Sequence, residues 1–382
     1  MERTTSNECC IVFVANRGYG LTSSRTNLIR RFLASNWTVV IATADDAESR
    51  SLVDMGARFE PVVFNRGGLS LVADIRCYTR LRSILRKYRP TLVHHFNAKP
   101  VLFGSLAARQ VLGGQVKVVN TITGLGHAFT AGGLSAKLAA LGYRFAIPRS
   151  DLTVFQNRDD RALFLERNWV SETAARLVAG SGVDIDRFIP VDRSGRDSDA
   201  PVVVMIGRLL RQKGIPEFVE VASNIRRRRP GARFLLAGEE ESRHPDAVSV
   251  EWLGEQADVE FVGRLADVVP ILQQADLFLF PSYYREGVPR AVLEASATGL
   301  PTIGFDVPGV RESVRDGETG YLVEDRDLAA MTARVDELLG DSRLRLELGD
   351  NARMLAEESF DLRAIEKQYF DLYRGLGLEV SA

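Results

Sequence analysis

A segment late in the chain, residues 281–308 (PSYYREGVPRAVLEASATGLPTIGFDVP), places two glutamates around the start of a predicted helix. Pro289 favours the first turn of that helix, and residues 299–301 (GLP) end it. Glu286 precedes the helix, where its carboxylate can accept hydrogen bonds from two adjacent hydroxyls while exposed backbone N–H groups favour an anion. Glu294 lies a turn or more inside the helix, a spacing that disfavours the paired carboxylates of a glycosidase.

A second segment, residues 202–214 (VVVMIGRLLRQKG), runs from a predicted strand into a turn that carries two cations. The strand ends at Gly207, and Arg208 and Lys213 follow before a helix begins near Pro216. At such a turn a forked guanidinium and a compact ammonium can bind a diphosphate between them. Solvation of both side chains at the surface is the alternative, because these residues alone do not exclude it.

Short apolar runs alternate with stretches of helical period along the chain, which is typical of parallel sheets buried on both faces. The helical stretches imply right-handed βαβ crossovers. A polar segment with Gly and Ser, residues 191–200, separates two series of runs and places a domain boundary near residues 185–200. The sequence therefore predicts two doubly wound α/β domains. The predicted strands are residues 9–15, 38–43, 61–64, 92–96, 116–122, 152–156 and 176–179, then 202–206, 233–237, 259–262, 277–281, 301–304 and 320–323.

Composition places the chain among folded proteins. It has 382 residues, of which 45% are hydrophobic and 26% charged, and these values exclude disordered and fibrous classes. No stretch has the continuous apolar length of a membrane span, and no secretory signal is expected before the first apolar run. The three cysteines, two of them adjacent, are too few for a disulfide framework or a zinc knuckle, which favours a reducing cytoplasm.

The formal net charge of −1 conceals an uneven distribution. Residues 1–190 carry 25 Lys and Arg against 15 Asp and Glu, so a phosphorylated substrate or an anionic membrane surface is an expected partner. Within this half, residues 72–89 carry six Lys and Arg against one Asp, and residues 134–148 are amphipathic and mostly apolar. Both segments suit docking on an anionic leaflet, although ordinary helices that cover a sheet would show the same apolar pattern.

The two motif segments together resemble a known family. GRLLRQKG, followed by REGVPRAVLEASATGLPTIGFDVPGVRESVRDGETGYLV, is similar to the donor domain of retaining GT-B glycosyltransferases of family 4, with the Glu-x7-Glu pair on Glu286 and Glu294. Residues 180–190 resemble the family's interdomain hinge, and residues 360–373 its closing helix. The resemblance implies two Rossmann-like domains that face each other across a cleft. They are an acceptor-binding domain at residues 1–185 and a nucleotide-sugar-binding domain at 198–359, with a closing helix and tail at 360–382.

The resemblance also implies roles for residues on the donor side. Arg208 and Lys213 are expected to neutralise the nucleotide diphosphate as it leaves. Glu286 is expected to contact hydroxyls of the transferred sugar, and Glu294 to contact the nucleotide ribose. No metal or other cofactor is expected, since the two cations can stabilise the leaving group themselves. The further donor-side candidates are Gly207, Gly287, Val288 and Pro289, with Gly287 and Gly309 as points of close backbone approach to the ligand.

The first half resembles a branch of the family that acts on polyprenyl-diphosphate-linked sugars, in residues 94–109 (HHFNAKPVLFGSLAAR) and 122–133 (ITGLGHAFTAGG). Many members carry a histidine at the position of Thr123, so no histidine contact to the sugar is expected there. For the charged candidates the alternative is a solvated surface, and for the histidines it is a place in the core. The candidates on the acceptor side are Gly18, Arg25, His95, Lys99, Thr123, Gly124 and His127.

Other functions fit the sequence less well. Gly18-Tyr19-Gly20 with Asp45 and Asp46 imitates a dinucleotide fingerprint, but the third glycine is missing, which leaves an NAD-dependent oxidoreductase as a minor alternative. Short Asp-x-Asp triplets lie outside the first third of the chain, where a metal-dependent glycosyltransferase fold requires one. A catalytically weak scaffold or partner protein with the same fold is the main alternative. Nucleic-acid binding is not expected, because no reading motif accompanies the basic residues.

The sequence and the resemblance together predict a metal-independent, retaining glycosyltransferase. Its donor is expected to be a nucleotide sugar, with UDP as the nucleotide and a hexose or N-acetylhexosamine as the sugar. Its acceptor is expected to be a polyprenyl-diphosphate-linked sugar in the assembly of O-antigen, capsule, exopolysaccharide or another glycan. The protein is expected in the cytoplasm, bound peripherally to the inner face of the cell membrane.

Overall fold

The computed structural model describes residues 9–65, 70–196, 200–242 and 244–380, and within these ranges the chain forms two compact units. The first unit comprises the chain up to Val178 together with the C-terminal segment from Ile365, and the second comprises Ala179–Ala364. Each unit is built on one parallel sheet whose strands alternate with helices, which confirms the predicted fold class. In the described ranges no helix is both long and apolar enough to cross a bilayer.

The first unit contains a parallel sheet. In the described part of the unit its strands are β1 (Cys10–Val14), β2 (Thr38–Thr43), β3 (Arg58–Pro61), β4 (Leu92–Phe96), β5 (Lys117–Ile122), β6 (Leu152–Phe155) and β7 (Ala175–Leu177). They lie in the order β3-β2-β1-β4-β5-β6-β7, and the central strands are continuously buried because helices cover both faces. The connecting helices are α1 (Tyr19–Thr22), α2 (Thr26–Ala34), α3 (Ala47–Asp54), α4 (Leu71–Tyr88), α5 (Ala98–Leu112), α6 (Gly126–Ala131), α7 (Gly133–Ala146) and α8 (Arg158–Glu166).

The second unit repeats this plan. Its described strands are β8 (Val202–Ile206), β9 (Arg233–Ala237), β10 (Glu260–Gly263), β11 (Leu277–Phe280), β12 (Thr302–Phe305) and β13 (Gly320–Val323), in the parallel order β10-β9-β8-β11-β12-β13. Its helices are α9 (Ile215–Arg226), α10 (Val250–Gly254), α11 (Val269–Gln274), α12 (Arg290–Ala297), α13 (Val310–Ser313), α14 (Leu328–Gly340) and α15 (Ser342–Phe360). One core of aliphatic and aromatic side chains holds these elements together.

The last helix, α16 (Leu362–Gly375), returns the chain to the first unit. Its side chains at Ile365, Tyr369, Phe370 and Tyr373 are buried there. Because Ile365, Tyr369 and Tyr373 recur every four positions and Phe370 adjoins Tyr369, they form one face of the helix. The expectation of a C-terminal helix that closes back is therefore confirmed.

The third strand differs from the prediction of residues 61–64, since β3 spans Arg58–Pro61. Among the described residues it is an edge strand whose one neighbour in the sheet is β2, so it does not need the apolar run of a central strand. Its buried residue is Glu60, whose carboxylate accepts hydrogen bonds from Arg80 at 2.5 Å and Lys87 at 2.6 Å on α4. A search for apolar runs misses such a strand, because its buried side chain is a carboxylate that pairs with cations rather than an apolar side chain that packs in the core.

The expected domain boundary and the observed division of the chain lie at different places. The sequence suggests residues 185–200, whereas the two units divide between Val178 and Ala179. The reason is that Val183 and Phe188 are buried in the core of the second unit. The segment resembling a hinge is thus packed with that unit over part of its length.

Candidate active site

The motif residues of the second unit lie beyond the carboxyl ends of β8 and β11, which are neighbours in the sheet. From β8 the strand order continues to β9 on one side, and from β11 it continues to β12 on the other. The order therefore reverses between these two strands. Open α/β sheets bind ligands in the crevice outside the carboxyl ends of the strands at such a reversal.

Lys213 is placed by a single 3-10 turn, Arg211–Lys213, that follows β8. The backbone N–H of Tyr283 donates to the carbonyl oxygen of Gln212 at 3.1 Å, which ties this turn to the loop after β11. Lys213 is 8% exposed, and its Nζ donates a hydrogen bond to Oε1 of Glu286 in the same loop. The structure thus brings together two predicted residues that are 73 positions apart.

Arg208 lies beside the same loop. Its guanidinium donates to Oε2 of Glu241 at 3.0 Å, and its central carbon lies 5.7 Å from the centroid of the Tyr284 ring. The Nζ of Lys213 lies 4.8 Å from the same centroid, so one ring makes cation–π contacts with both cations. These five side chains are named the cation cluster below: Arg208, Lys213, Glu241, Tyr284 and Glu286.

The cation cluster pairs each of its two cations with a carboxylate. Burial and the positive charge of Arg208 lower the pKa of Lys213 well below its usual value, and the negative charge of Glu241 opposes that shift. Each cation is held by a carboxylate, and a diphosphate offers both of them stronger, multiple acceptors. The arrangement can therefore exchange two carboxylates for one diphosphate, which leaves Glu286 able to accept hydrogen bonds from hydroxyls.

Glu241 and Tyr284 are absent from the prediction based on the sequence. Glu241 follows β9, whose carboxyl end lies at the same edge of the sheet as that of β8, so topology could have indicated it. Tyr284 stands two residues before Glu286 in the same loop. Its role depends on ring contacts to side chains from another strand, and no spacing in the sequence encodes those contacts.

Glu294 does not join the cation cluster. It lies on α12, is largely buried, and accepts a hydrogen bond from Arg290 at 2.7 Å. Burial raises the pKa of this carboxyl, and Arg290 opposes that shift. Pro289 precedes the helix as its N-cap residue rather than occupying its first turn. In the described ranges, no three His, Cys, Asp or Glu side chains gather as a metal-binding group.

The glycines and Val288 near the site allow backbone segments to approach one another. Gly309 has a φ of +89°, and a Cβ there would lie 2.3 Å from the carbonyl oxygen of Gly287. Its close approach in the structure is to the loop that holds Glu286, and the expected approach to a ligand stays a prediction. Val288 is buried and packs against Gly180. Gly207 approaches Gly238, the residue after β9, so closely that a Cβ on Gly238 would lie 2.0 Å from the carbonyl oxygen of Gly207.

Gly214 is required directly after Lys213. It has a φ of +84°, and a Cβ would lie 2.0 Å from the carbonyl oxygen of Pro281 at the end of β11. We expect Gly214→Ala to lower the free energy of unfolding by about 2 kcal/mol or more, because it combines backbone strain with a clash. Chemical denaturation measures this, with Gly254→Ala as the control, since nothing lies within 4 Å of a Cβ there. Equal stability of the two variants would contradict the prediction.

In the first unit, Gly18 lies where the chain leaves β1 and contacts the start of α3. Its N–H donates to Oδ2 of Asp46 at 2.9 Å, and the other oxygen of that carboxylate caps α3 at Ser49. A Cβ on Gly18 would lie 2.3 Å from Asp46. Asp46 therefore links the chain after β1 to the start of α3, with one of its two oxygens bonded to each segment.

Arg25 differs from both expectations for it, a contact to an acceptor phosphate and a solvated surface. It is 1% exposed, and its guanidinium carbon lies 4.5 Å from the centroid of the Tyr369 ring and 5.3 Å from that of Phe96. It also donates to the Tyr369 hydroxyl at 3.1 Å. Residues of α16 therefore enclose this cation, and it is not placed at a surface where a ligand could reach it.

His95 is also buried, so the structure does not place it among acceptor contacts. Its Nδ1 is hydrogen-bonded to Asn120 at 2.9 Å, and a Cβ on Gly104 would lie 2.2 Å from its Nε2. Burial lowers the pKa of His95 to about 4, so the ring is neutral at pH 7. This agrees with the core position that the sequence left open as the alternative.

The remaining acceptor-side candidates lie at the carboxyl edge of the first sheet. Thr123 is half-buried after β5 and accepts a hydrogen bond from Asn97, the residue after β4, at 2.9 Å. Lys99 at the start of α5 donates to Asp74 at 2.6 Å. Gly124 follows with a φ of +93°. His127 lies in α6, but its side chain is outside the described residues.

Two family models match the chain. The model described as "Glycosyl transferases group 1" matches residues 187–355, which include the whole cation cluster. The model described as "Glycosyl transferase 4-like" matches residues 10–157, which include β1 to β6 of the first unit. Both halves of the chain are thus matched by glycosyltransferase models.

Characterised relatives are similar over most of the chain. One relative is the N,N'-diacetylbacillosaminyl-diphospho-undecaprenol alpha-1,3-N-acetylgalactosaminyltransferase of Campylobacter jejuni, to which the chain is 26% identical over 380 residues. The aligned region covers 95% of this chain and 98% of that protein. The chain is 26% identical over 325 residues to the UDP-Gal:alpha-D-GlcNAc-diphosphoundecaprenol alpha-1,3-galactosyltransferase of Escherichia coli, which covers 80% of each. Both relatives are named as transferases for sugars carried on diphospho-undecaprenol.

Solved structures support the fold. The sucrose-phosphate synthase of Thermosynechococcus elongatus superposes with a TM-score of 0.78 at 21% identity, covering 96% of this chain and 99% of that one. A likeness at this identity concerns the fold, and the fold is GT-B. With two family models, two relatives and the architecture in agreement, the chain belongs to the group 1, family 4-like glycosyltransferases of GT-B fold.

Proposed function

We propose that this protein transfers a hexose or N-acetylhexosamine from a UDP-sugar to a polyprenyl-diphosphate-linked sugar, with retention of the anomeric configuration. The cation cluster carries the proposal, because it combines two cations suited to a diphosphate with a carboxylate suited to sugar hydroxyls. The names of the Campylobacter jejuni and Escherichia coli relatives support the class of acceptor, and the second name supports UDP. The product would enter the assembly of a surface polysaccharide or another glycan.

The leaving group explains why two cations are needed. As the bond between the anomeric carbon and the diphosphate breaks, negative charge grows on the diphosphate. Cations positioned beforehand stabilise this charge more in the transition state than in the ground state. Arg208 and Lys213 would supply that stabilisation after exchanging Glu241 and Glu286 for phosphate oxygens. The proposal therefore includes no metal. As a consequence, we expect the protein to transfer sugar in the presence of a chelator.

Retention would follow from attack on the same face from which the diphosphate departs. The acceptor hydroxyl forms the new bond to the anomeric carbon, and its proton passes to the leaving diphosphate, so the nucleotide diphosphate is released with that proton. Glu286 would accept hydrogen bonds from hydroxyls of the transferred sugar once Lys213 binds phosphate. Glu294 would do the same for the ribose after separating from Arg290.

The acceptor side of the proposal rests on the first unit. A lipid-linked acceptor requires a protein that works at a membrane surface, and we propose peripheral association with the cytoplasmic face of the cell membrane. The excess of Lys and Arg in residues 1–190 supports an anionic partner for this half. Thr123 and Asn97, joined at the ends of β5 and β4, are the acceptor-edge residues that the proposal retains.

A catalytically weak scaffold is the second candidate, and one observation favours it. Thr123 stands where many members of the family have a histidine, and its hydroxyl is hydrogen-bonded to Asn97. The intact cation cluster favours an active enzyme instead, because a scaffold has no use for a buried Lys213 beside a half-buried Arg208 at a sheet reversal. Transfer activity decides between the two.

The test is ligand-dependent thermal stabilisation combined with a transfer assay. UDP, GDP, ADP, CMP, NAD and a set of UDP-sugars are compared in EDTA and with manganese. A ligand at about 100 times its Kd adds about 2.7 kcal/mol of stability, which shifts Tm visibly. We expect stabilisation by UDP and one UDP-sugar in EDTA. Stabilisation by NAD alone, or only with manganese, would contradict the proposed donor site, and UDP binding without transfer would favour the scaffold.

Glu286→Gln tests the role of the carboxylate. Because the variant keeps the shape of the side chain but loses its charge, it weakens contacts to sugar hydroxyls while leaving Lys213 available to phosphate. We expect kcat to fall about tenfold or more while the Kd for UDP stays the same or decreases. Glu312→Gln, in the short helix α13, is the matched control. A rise in the Kd for UDP with an unchanged kcat would show that Glu286 acts differently.

A further inference from the structure

Exposed apolar side chains of the first unit are concentrated on two helices. In the described part of the chain, seven large hydrophobic residues with exposed side chains lie at the beginning of α4 or along α7. They are Leu71, Val72 and Ile75 on α4, and Leu134, Leu138, Leu141 and Phe145 on α7. Exposed apolar residues in the second unit, such as Val250 and Met354, are scattered, which is ordinary for a folded protein.

The four residues on α7 recur at spacings of four, three and four positions, so they form one face of the helix. Their exposed fractions are 71% for Leu134, 41% for Leu138, 48% for Leu141 and 52% for Phe145. Exposed cations, Lys137 and Arg144, share the same side of the helix, and its sequence GLSAKLAALGYRFA contains no acidic residue. The face is therefore apolar and cationic, with no compensating negative charge of its own.

The opposite face of α7 is firmly packed. Tyr143 is buried, with its ring centroid 5.1 Å from that of Phe164 and 6.3 Å from that of Trp169. Gly142 allows Leu102 of α5 to approach within 3.1 Å of the position that a Cβ would take. The packing of Tyr143 and Gly142 thus holds the helix in place through one face. The face that carries the leucines and Phe145 points away from this packing and is exposed.

The structure separates the two segments that the sequence suggested for membrane docking. Most of α4 is an ordinary sheet-covering helix, since Leu81 and Ile84 are buried and Arg80 and Lys87 bind Glu60. Only the beginning of α4 is exposed and apolar. In α7 the apolar residues themselves are exposed, so the alternative of a helix that merely covers the sheet accounts for α7 poorly.

The apolar residues also lie near the edge where a ligand is expected. Helices α4 and α5 connect β3 to β4 and β4 to β5, so each begins at the carboxyl edge of the sheet, and α7 follows α6 on the connection from β5 to β6. Helix α5 packs against both α4 and α7, which places all three in one layer. The exposed residues that begin α4 therefore lie at the same edge as Thr123, and those of α7 lie on the connection that leaves this edge after β5.

We propose that the exposed face of α7, assisted by the beginning of α4, docks the protein on an anionic lipid bilayer. The leucines and Phe145 enter the interface, while Lys137 and Arg144 extend to anionic headgroups. Charge selects this partner, because a face with two cations and no carboxylate is complementary to an anionic surface. The inference rests on the proposed function, in which the acceptor is lipid-linked, and it names the surface that would bring the acceptor edge to the membrane.

The test is co-sedimentation of the full chain with vesicles. Vesicles of equal parts phosphatidylcholine and phosphatidylglycerol are compared with vesicles of phosphatidylcholine alone. We expect binding to the anionic vesicles that weakens with added salt, and a fall of about tenfold or more in the partition coefficient for the double variant Leu138→Ser/Leu141→Ser. Lys137→Glu/Arg144→Glu should lose the preference for anionic vesicles. The matched control is Val250→Ser/Met354→Ser, which removes exposed apolar residues from the second unit.

Two further measurements distinguish a wrong docking surface from a wrong proposed function and from self-association. UDP-dependent thermal stabilisation reports on the donor site, so a leucine double variant that retains it is folded and keeps that site. Unchanged vesicle binding in this variant would overturn the docking surface without affecting the proposed function. Sedimentation velocity without lipid detects self-association, and a dimer that the same double variant dissociates would assign the face to a second copy and overturn the proposal.

Discussion

Lys213→Ala is expected to lower kcat/KM for the nucleotide sugar by about a hundredfold to a thousandfold, the effect typical of losing one preorganised group that stabilises developing charge. The expectation follows from the burial of Lys213 beside Arg208 and Glu286. Few water molecules can enter such a position to replace the interactions of the lost ammonium group. Because the ammonium binds the diphosphate before and during the reaction, both the KM for the donor and kcat should change. Steady-state kinetics with a fixed acceptor measures both constants.

The controls for this variant are given by the structure. Lys367→Ala removes an exposed lysine from α16 and should leave both constants unchanged. Tyr284→Leu should produce a smaller loss than Lys213→Ala, because the ring steadies the two cations without carrying charge. Near-normal turnover in Lys213→Ala, with UDP still bound, would show that the cation cluster is not the site of the reaction.

Acidification below about pH 6.5 is expected to destabilise the first unit strongly, because two adjacent histidines are buried as neutral rings. His94 is hydrogen-bonded to Tyr373 at 2.6 Å and to Thr121 at 2.8 Å, with Arg25 nearby. Burial, together with Arg25 and His95, lowers the pKa of His94 well below its usual value. Burial also lowers the pKa of His95 to about 4.

A folded-state pKa below the unfolded value of about 6.5 means that the unfolded chain binds more protons in the interval between the two values. Stability is therefore lost as the pH falls from about 6.5 towards 4. Each histidine contributes up to about 1.4 kcal/mol per pH unit. His95→Asn should reduce this slope by that amount in chemical denaturation between pH 7 and 5. Parallel curves for wild type and His95→Asn would contradict the assignment.

The location of Arg208, Lys213 and Glu286 in the fold was largely determined by the sequence. Strands such as β8 and β11 are buried on both faces and must be apolar runs, so their ends could be located. Parallel strands place their carboxyl ends at one edge, and the family resemblance assigns the residues after those two runs to one donor site. The hydrogen bond between Lys213 and Glu286 agrees with that expectation, although the sequence could not indicate that Tyr284 and Glu241 complete the cluster.

The environment of charged residues in the first half was decided only by tertiary structure. Arg25 and His94 are residue types usually found at surfaces, yet both are enclosed by side chains of α16, such as Tyr369 and Tyr373. The contact between Arg25 and Tyr369 spans 344 positions along the chain. A local pattern contains no information about a partner so distant, because burial depends on which element arrives from elsewhere.

Helices α4 and α7 show that two similar local sequences can acquire different environments in the fold. Their sequences are both amphipathic with an excess of cations, and the sequence alone assigns them the same role. The fold gives the cations of α4 a carboxylate partner, Glu60 on β3, while α7 packs through Tyr143 and leaves its leucines exposed. Periodicity is a local property and fixes which residues share a face. Whether that face is buried depends on the packing of the neighbouring elements, which only the tertiary structure determines.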